Sequence, residues 1–511
     1  MFLLGCISLP FGTQRLRAVF DAAEDTCGKI RISGRYHCHP RRLETDYEVL
    51  PKVLGKGLTG VVRLGRNKHT DHECAVKSLE LPFLPSEVDV DKTTAFASEV
   101  SIALAADHPH VARLEDVYQS TRRVHLVMEH LRGGTLFDCL KRGGRFDECK
   151  AAQVTFQMLL AVNYLHKRGI VHRDLKPANF IFQGPGSGEG ALKLIDFGFS
   201  KYIEPGVPMD KCCGTVGYKA PEVLDRKYSS QCDLWSLGII VFRLLMVQLP
   251  FSTEGTKAQV RARIRSGVIG IDRPKRWDAL SDSARNFIER LLVVDPEQRM
   301  TAEQAFEHPW ITGHNSPAPG PKLVDGTILE AFSSHARSTR LRRAFLHVAA
   351  RSQIGHEVVS SVAAFTRMDS KHFGIIRLEA LPDMLRDGCD LTQDQIGKLS
   401  HALDTFGTGE MNYSTFLAAL LSSSLRPTSH IVKDAFRRLD ADHSGYITGD
   451  DLRAVLGDSF EGAAVDTLLL DEQQLRRRGR MCFSEFAAIL APDQKVEEQP
   501  SEHEVNYKLE L

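Results

Sequence analysis

No apolar run in this sequence is long enough to cross a bilayer. The longest, over residues 237 to 246, contains Arg243 and falls far short of the roughly 18 to 20 residues that a span requires. Charge of one sign is not in excess either, since 65 Lys and Arg face 65 Asp and Glu, so no nucleic-acid or acidic-surface partner is indicated. The eleven cysteines are scattered from Cys6 to Cys482, with Cys212-Cys213 as the one close pair, and they lack the spacing of a metal site or a disulfide framework. A reducing, cytoplasmic setting is therefore expected. Residues 1 to 11 are apolar but have no basic n-region and no clear small-residue cleavage site, so a signal peptide is not expected. Phe2 rules out N-myristoylation at this start, and Gly5-Cys6 would look like an acylation signal only from a later start codon, which leaves membrane association open.

What is present is an ordinary globular composition, 42% hydrophobic and 25% charged, spread over 511 residues. That length exceeds one hydrophobic core, so two or more domains are expected. Residues 1 to 46 carry no motif and read as an extension. From Tyr47, alternating apolar residues at Val49, Val53, Val61 and Leu64 predict paired strands, and beyond Asp138 the pattern becomes mainly helical. The run Gly184-Pro185-Gly186-Ser187-Gly188 reads as a loop inserted in a hairpin.

The chemistry begins at Gly55-Lys56-Gly57-Leu58-Thr59-Gly60-Val61-Val62, where glycines let backbone amides approach polyphosphate. Taken alone, such a loop is more often structural than nucleotide-binding. Cys74-Ala75-Val76-Lys77 then supplies a strand lysine able to hold the α- and β-phosphates, with Glu99 as its ion-pair partner on the next helix. Val171-His172-Arg173-Asp174-Leu175-Lys176-Pro177-Ala178-Asn179 adds a carboxylate to accept a substrate hydroxyl proton and, five residues on, an amide for magnesium. Asp196-Phe197-Gly198 brings the second metal carboxylate, and Ala220-Pro221-Glu222 closes the segment. Five motifs in this order predict phosphoryl transfer from ATP, with Asp174, Lys176, Lys77 and Glu99 as catalytic residues and Asn179 and Asp196 on Mg2+.

On these motifs, residues 47 to 311 resemble a eukaryotic protein kinase domain of the calcium/calmodulin-regulated group. The resemblance implies an α+β two-lobed fold, with nucleotide contacts at Leu54, Gly55, Gly57, Gly60 and Val62. It makes Met128 the gatekeeper and the Glu129 to Leu131 backbone the adenine-binding hinge. It also implies that Asp233 anchors the catalytic loop, that Arg299 pairs with Glu222, and that Thr215 sits beside Lys176. Two departures bear on substrate choice, because Thr135 and Ala178 stand where relatives that prefer basic substrates carry glutamates. A weakened preference for arginine is expected, since a desolvated arginine–carboxylate contact contributes a few kcal/mol. Between Ile203 and Gly214 the sequence has no Ser, Thr or Tyr, so activation by phosphorylation there is not expected.

Behind the first domain, residues 312 to 357 read as a linker and junction. A Pro/Gly-rich stretch over residues 314 to 321 leads into a basic amphipathic helix over residues 338 to 351, with Leu341, Phe345 and Val348 on one face. Such a helix suits either ordinary packing or a calmodulin-like groove. Residues 358 to 424 and 425 to 491 then repeat a helix–loop–helix spacing, and residues 492 to 511 form an acidic tail.

The loop from Asp440 to Asp451 offers side-chain oxygens from Asp440, Asp442, Ser444 and Asp451, a backbone carbonyl from Tyr446 and a turn at Gly445, the pattern of an EF-hand calcium site. Asp451 stands where glutamate is usual, so weaker Ca2+ binding is expected. Three companion loops have lost their ligands. One carries Lys371, Phe373 and Ala380, the second Phe406 and Thr415, and the third Gln474, Arg476 and Arg478. Their apolar eighth residues, with Ile376, Met411 and Ile447, predict retained pairing.

The whole arrangement resembles the calcium-dependent protein kinases of plants and protists, a kinase followed by an all-α EF-hand, calmodulin-like module. It implies protein substrates and an intramolecular partnership of the module with the 338 to 351 helix. A pseudokinase scaffold that recruits partners through the module is the non-enzymatic alternative, disfavoured by Lys77, Asp174 and Asp196. A small-molecule kinase is disfavoured by Thr215 and the full Ala220-Pro221-Glu222 segment.

Overall fold

The computed structural model describes residues 36–37, 42–57, 60–80, 90–120, 123–315 (apart from 144, 185, 187, 189, 205 and 271–273), 326–352, 358–386, 392–423 (apart from 406), 427–469 and 478–492. The suspected acylation signal, the acidic tail, Phe406, Gln474 and Arg476 lie outside the described residues.

Six strands form the first sheet: β1 (Tyr36–His37), β2 (Tyr47–Gly57), β3 (Gly60–Asn67), β4 (Glu73–Glu80), β5 (Leu114–Gln119) and β6 (Arg123–Glu129), in the order β1-β5-β6-β4-β3-β2. The two-residue period of the strands sets their facing. It buries Cys74 and Val76 of β4 on one face and Leu79 on the other, and β4 pairs Lys77 with Val62 on one side and Leu126 on the other. Helix α1 (Val90–Ala105) brings Glu99 to Lys77.

Below the sheet the chain is helical. Helix α2 (Glu148–Lys167) starts where the Asp147 side chain accepts the Lys150 N–H. It is buried along most of its length, so its sequence is apolar around much of its circumference rather than on one stripe. Helix α3 (Gln231–Met246) is likewise buried and ends at Val247 in the left-handed region, φ 64°. The expected hairpin is present as β7 (Phe180–Phe182) and β8 (Leu192–Leu194), paired antiparallel with the glycine-rich insertion between them.

The helix Pro309–Asn315 runs four residues into the stretch read as linker, over 312–315. Buried Trp310 and Ile311 hold it against the domain, and Asn315 donates to the Ile311 carbonyl at 3.0 Å.

The remaining helices enclose a second core, and α4 (Arg340–Ser352) lies inside it. Leu341, Ala344, Phe345, Leu346 and Ala349 are all fully buried. The helix expected to bury one face is thus enclosed more widely, against α5 (Tyr413–Leu421), α6 (Ser429–Leu439) and α7 (Phe483–Leu490). Its basic rim is also engaged, with Arg343 ion-paired to Glu461. The loops pair through their eighth residues, Ile376 with Met411 and Ile447 with Met481. Among the described residues no helix is long and apolar enough to cross a membrane.

Among the described residues, this module rests on the first domain through several contacts. Ser414 donates its N–H and hydroxyl to Asp107. Asn163 and Arg168 donate to carbonyls of the 369 to 380 loop. Arg437 and Arg438 enter a pocket formed by Asp46 and Asp116.

Candidate active site and cation loop

In the cleft between sheet and helices, Lys77 Nζ lies 2.7 Å from Glu99 Oε1 and 2.9 Å from Asp196 Oδ1. Burial alone would lower the Lys77 pKa, but the two carboxylates outweigh it and hold the ammonium above its ordinary value. Burial also raises Glu99, against the pull of Lys77. For Asp196 burial is overcome, and the Lys77 ammonium keeps the carboxyl below its usual range.

The loop expected to be catalytic, residues 171 to 179, is built around Asp233 of α3. Its carboxylate accepts the backbone N–H groups of His172 and Arg173, each at 2.9 Å, and contacts His166 Nε2 at 2.9 Å. So anchored, the chain can hold Arg173 at φ 66° and present Asp174. Asp174 Oδ2 accepts from Lys176 Nζ at 2.6 Å, while Oδ1 accepts both the N–H and the hydroxyl of Thr215 at 2.7 Å. Thr215 gets this close because the preceding Gly214, at φ 91°, would put any Cβ 2.4 Å from the Arg173 carbonyl. Asn179 turns its amide nitrogen to the Asp174 carbonyl at 2.9 Å.

The Arg173 guanidinium donates from Nε to Phe199 O at 2.6 Å and from Nη1 to Tyr228 Oη at 3.3 Å. Arg299 and Glu222 make a bidentate pair at 2.6 and 3.0 Å.

The glycine turn pairs Gly55 with Val62 and Gly57 with Gly60, and residues 58 and 59 lie outside the described residues. At the hinge the Glu129 carboxylate is buried on Lys193, at 2.8 and 2.9 Å, and on the Arg113 N–H at 2.7 Å. The Glu129 side chain is thus used within the protein, as is its N–H, which donates to the Arg113 carbonyl at 3.1 Å. Lys193 escaped the sequence reading, although a lone lysine between two leucines of a buried strand is a recognisable signal of a charged partner.

In the second core, Asp440, Asp442 and Asp451 bring carboxylate oxygens within 4.8 Å of one another. Asp440 Oδ1 is buried and has no hydrogen-bond partner. Burial, with the charges of Asp451 and Asp442 beside it, pushes the Asp440 carboxyl up to about 6. Three carboxylates with an orphaned oxygen form a donor set for a hard divalent cation. Ser444 and Tyr446, also expected ligands, bond to each other, hydroxyl to carbonyl at 3.1 Å.

The companion loops satisfy their carboxylates internally. Asp369 accepts the N–H groups of Phe373 and Gly374 at 3.1 and 2.6 Å, and Asp404 accepts those of Thr408 and Gly409. Glu485 takes the Cys482 N–H and lies 3.8 Å from Arg478.

Residues 47–311 match the protein kinase domain family and residues 432–461 an EF-hand domain. The chain is 34% identical over 457 residues to calcium-dependent protein kinase 9 of Oryza sativa subsp. japonica, covering 88% of this chain and 78% of that one. Calcium-dependent protein kinases 7 and 13 of Arabidopsis thaliana are 33% and 32% identical, with 86% and 88% of this chain and 82% and 85% of theirs aligned. Neither the site nor these relatives favours the non-enzymatic alternative. The chain belongs to the protein kinase family and, within it, to the calcium-dependent protein kinases; it is an ATP-dependent protein serine/threonine kinase.

Proposed function

We propose that Asp174 takes the proton from a substrate serine or threonine hydroxyl, with Lys176 and Thr215 fixing the direction of its carboxylate. Lys77, held by Glu99, grips the α- and β-phosphates of ATP. Leu54, Gly55, Gly57, Gly60 and Val62 cover the nucleotide, and the backbone of Glu129 and Leu131 takes the adenine. Asn179 and Asp196 fit magnesium, since the Asp196 carboxylate is one-third exposed to the cleft and the bond from the Asn179 nitrogen leaves its amide oxygen for a cation. Bound there, magnesium neutralises charge on the transferring phosphoryl group. The observation that carries the reading is the Asp174 carboxylate clamped from both sides. Transfer of labelled γ-phosphate from ATP to a protein substrate tests it: Asp174→Asn should lower the rate about 100-fold to 10,000-fold, the usual contribution of a positioned base, and an unchanged rate would remove Asp174 from the chemistry.

The second part of the reading is that Asp440, Asp442 and Asp451, with Ser444 and the Tyr446 carbonyl, hold one calcium ion. The unpartnered Asp440 Oδ1 supports it. Helix α4, packed among α5, α6 and α7, is the intramolecular partner through which the module acts on the kinase. Calorimetric titration with calcium should give one site that Asp440→Asn abolishes, and equal binding by both proteins would refute it.

A further inference from the structure

The 369 to 380 loop retains the EF-hand path while its ligand positions carry Lys371, Phe373 and Ala380. A cation would ordinarily organise such a loop. Here Asp369 organises it by accepting the Phe373 and Gly374 N–H groups, and the outer surface of the loop lies against the kinase domain. Asn163 of α2 donates to the His372 carbonyl at 2.6 Å, and Arg168, just past the helix end, donates to the Phe373 carbonyl at 3.4 Å. The His372 ring lies 5.5 Å from Phe156 and 4.5 Å from Phe306, and Lys167 Nζ sits 4.7 Å over the Phe373 ring.

Gly374 shows how close the approach is. At φ 73° it packs so tightly that a Cβ would stand 2.4 Å from the Tyr164 ring and 2.8 Å from the His108 ring. The side chain at ligand position five, Phe373, is thus used on the kinase surface, and the carbonyls flanking it are taken by kinase donors.

We propose that this loop has exchanged cation binding for docking: it is a calcium-independent attachment site whose partner is the C-terminal half of α2 in the same chain. The attachment ends at Arg168, two residues before Ile170–Val171, the strand that leads into the catalytic loop, so it secures the module to the helix that carries that loop. The inference concerns loop 369 to 380 and does not depend on calcium at Asp440.

Hydrogen exchange of the full-length protein tests it from the kinase side, where a substitution cannot disturb the loop's own fold. Asn163→Ala and Arg168→Ala should each speed exchange of the 369 to 380 peptide several-fold, with no change between calcium and chelator. The triple variant Lys371→Asp, Phe373→Asn, Ala380→Glu should add a terbium-binding site and weaken the same protection. Unchanged exchange of the loop in both kinase-side variants would overturn the proposal, as would protection that disappears on chelation of the wild type.

Discussion

Arg438 at the end of α6 reaches Asp116 of β5, Nη1 to Oδ1 at 3.4 Å, joining residues 322 apart in the chain. The same carboxylate accepts the Tyr47 hydroxyl at 2.6 Å, and Asp434 holds Arg438 from the other side at 2.7 Å. Both members of the pair are buried, 9% and 2% exposed. Removing one partner of such a pair strands the other charge, at a cost of about 3 to 5 kcal/mol. Arg438→Ala should lower the unfolding free energy by less than that, because Arg437 stays 3.7 Å from Asp116, and combining it with Asp116→Asn should recover part of the loss. Urea unfolding of the two single variants and the double variant measures the coupling, and additive losses would mean the contact contributes nothing.

Next to this pair, Glu115 is buried with Oε1 unpartnered. Burial pushes its carboxyl from 4.5 up to about 7, against the pull of Arg113 and Arg438. A carboxyl raised in the folded state stabilises the fold below its unfolded value and loses that contribution as pH climbs to the folded one. Stability should thus fall by up to about 3 kcal/mol between pH 4.5 and 7 and level off above. Glu115→Gln should flatten that slope, as thermal unfolding across the range would record.

A prediction for substrate choice rests on Thr135 and Ala178. Thr135 donates its hydroxyl to Asp138 at 2.6 Å, and Asp138 returns its N–H at 3.0 Å. Even the nearby carboxylate is therefore turned onto the start of the helix Leu136–Gly143. Ala178, within the turn Pro177–Asn179, offers no charge. A positional peptide array should show little selection for arginine upstream of the phosphorylated residue. Strong selection would mean that other carboxylates do this work.

Much of the first domain was legible because its chemistry is local in sequence. Asp174, Lys176 and Asn179 lie within six residues, and their geometry follows from one loop. Asp233 and Arg299 were legible only through resemblance, since nothing in their own segments indicates what they hold. The fourth pairing residue, Met481, went unnamed because the ligands around it are replaced, although its spacing from Glu485 repeats that of Ile447 from Asp451. The contacts of the module with the kinase could not be read at all. Phe373 registered as a lost ligand, and Arg437 and Arg438 drew no reading at all, because a docking surface is defined by the two elements it brings together and neither segment alone encodes the other.

The central claim is that a calcium ion at Asp440 governs an active kinase. The direct measurement is phosphate transfer to a generic protein substrate by the full-length chain, with calcium and with chelator, beside Asp440→Asn. A single site supplies a coupling free energy of about 1 to 3 kcal/mol, so calcium should change the wild-type rate roughly 5-fold to 150-fold and leave the variant unaffected. Equal wild-type rates in calcium and chelator would contradict the account, leaving the kinase in place and the loop without control over it.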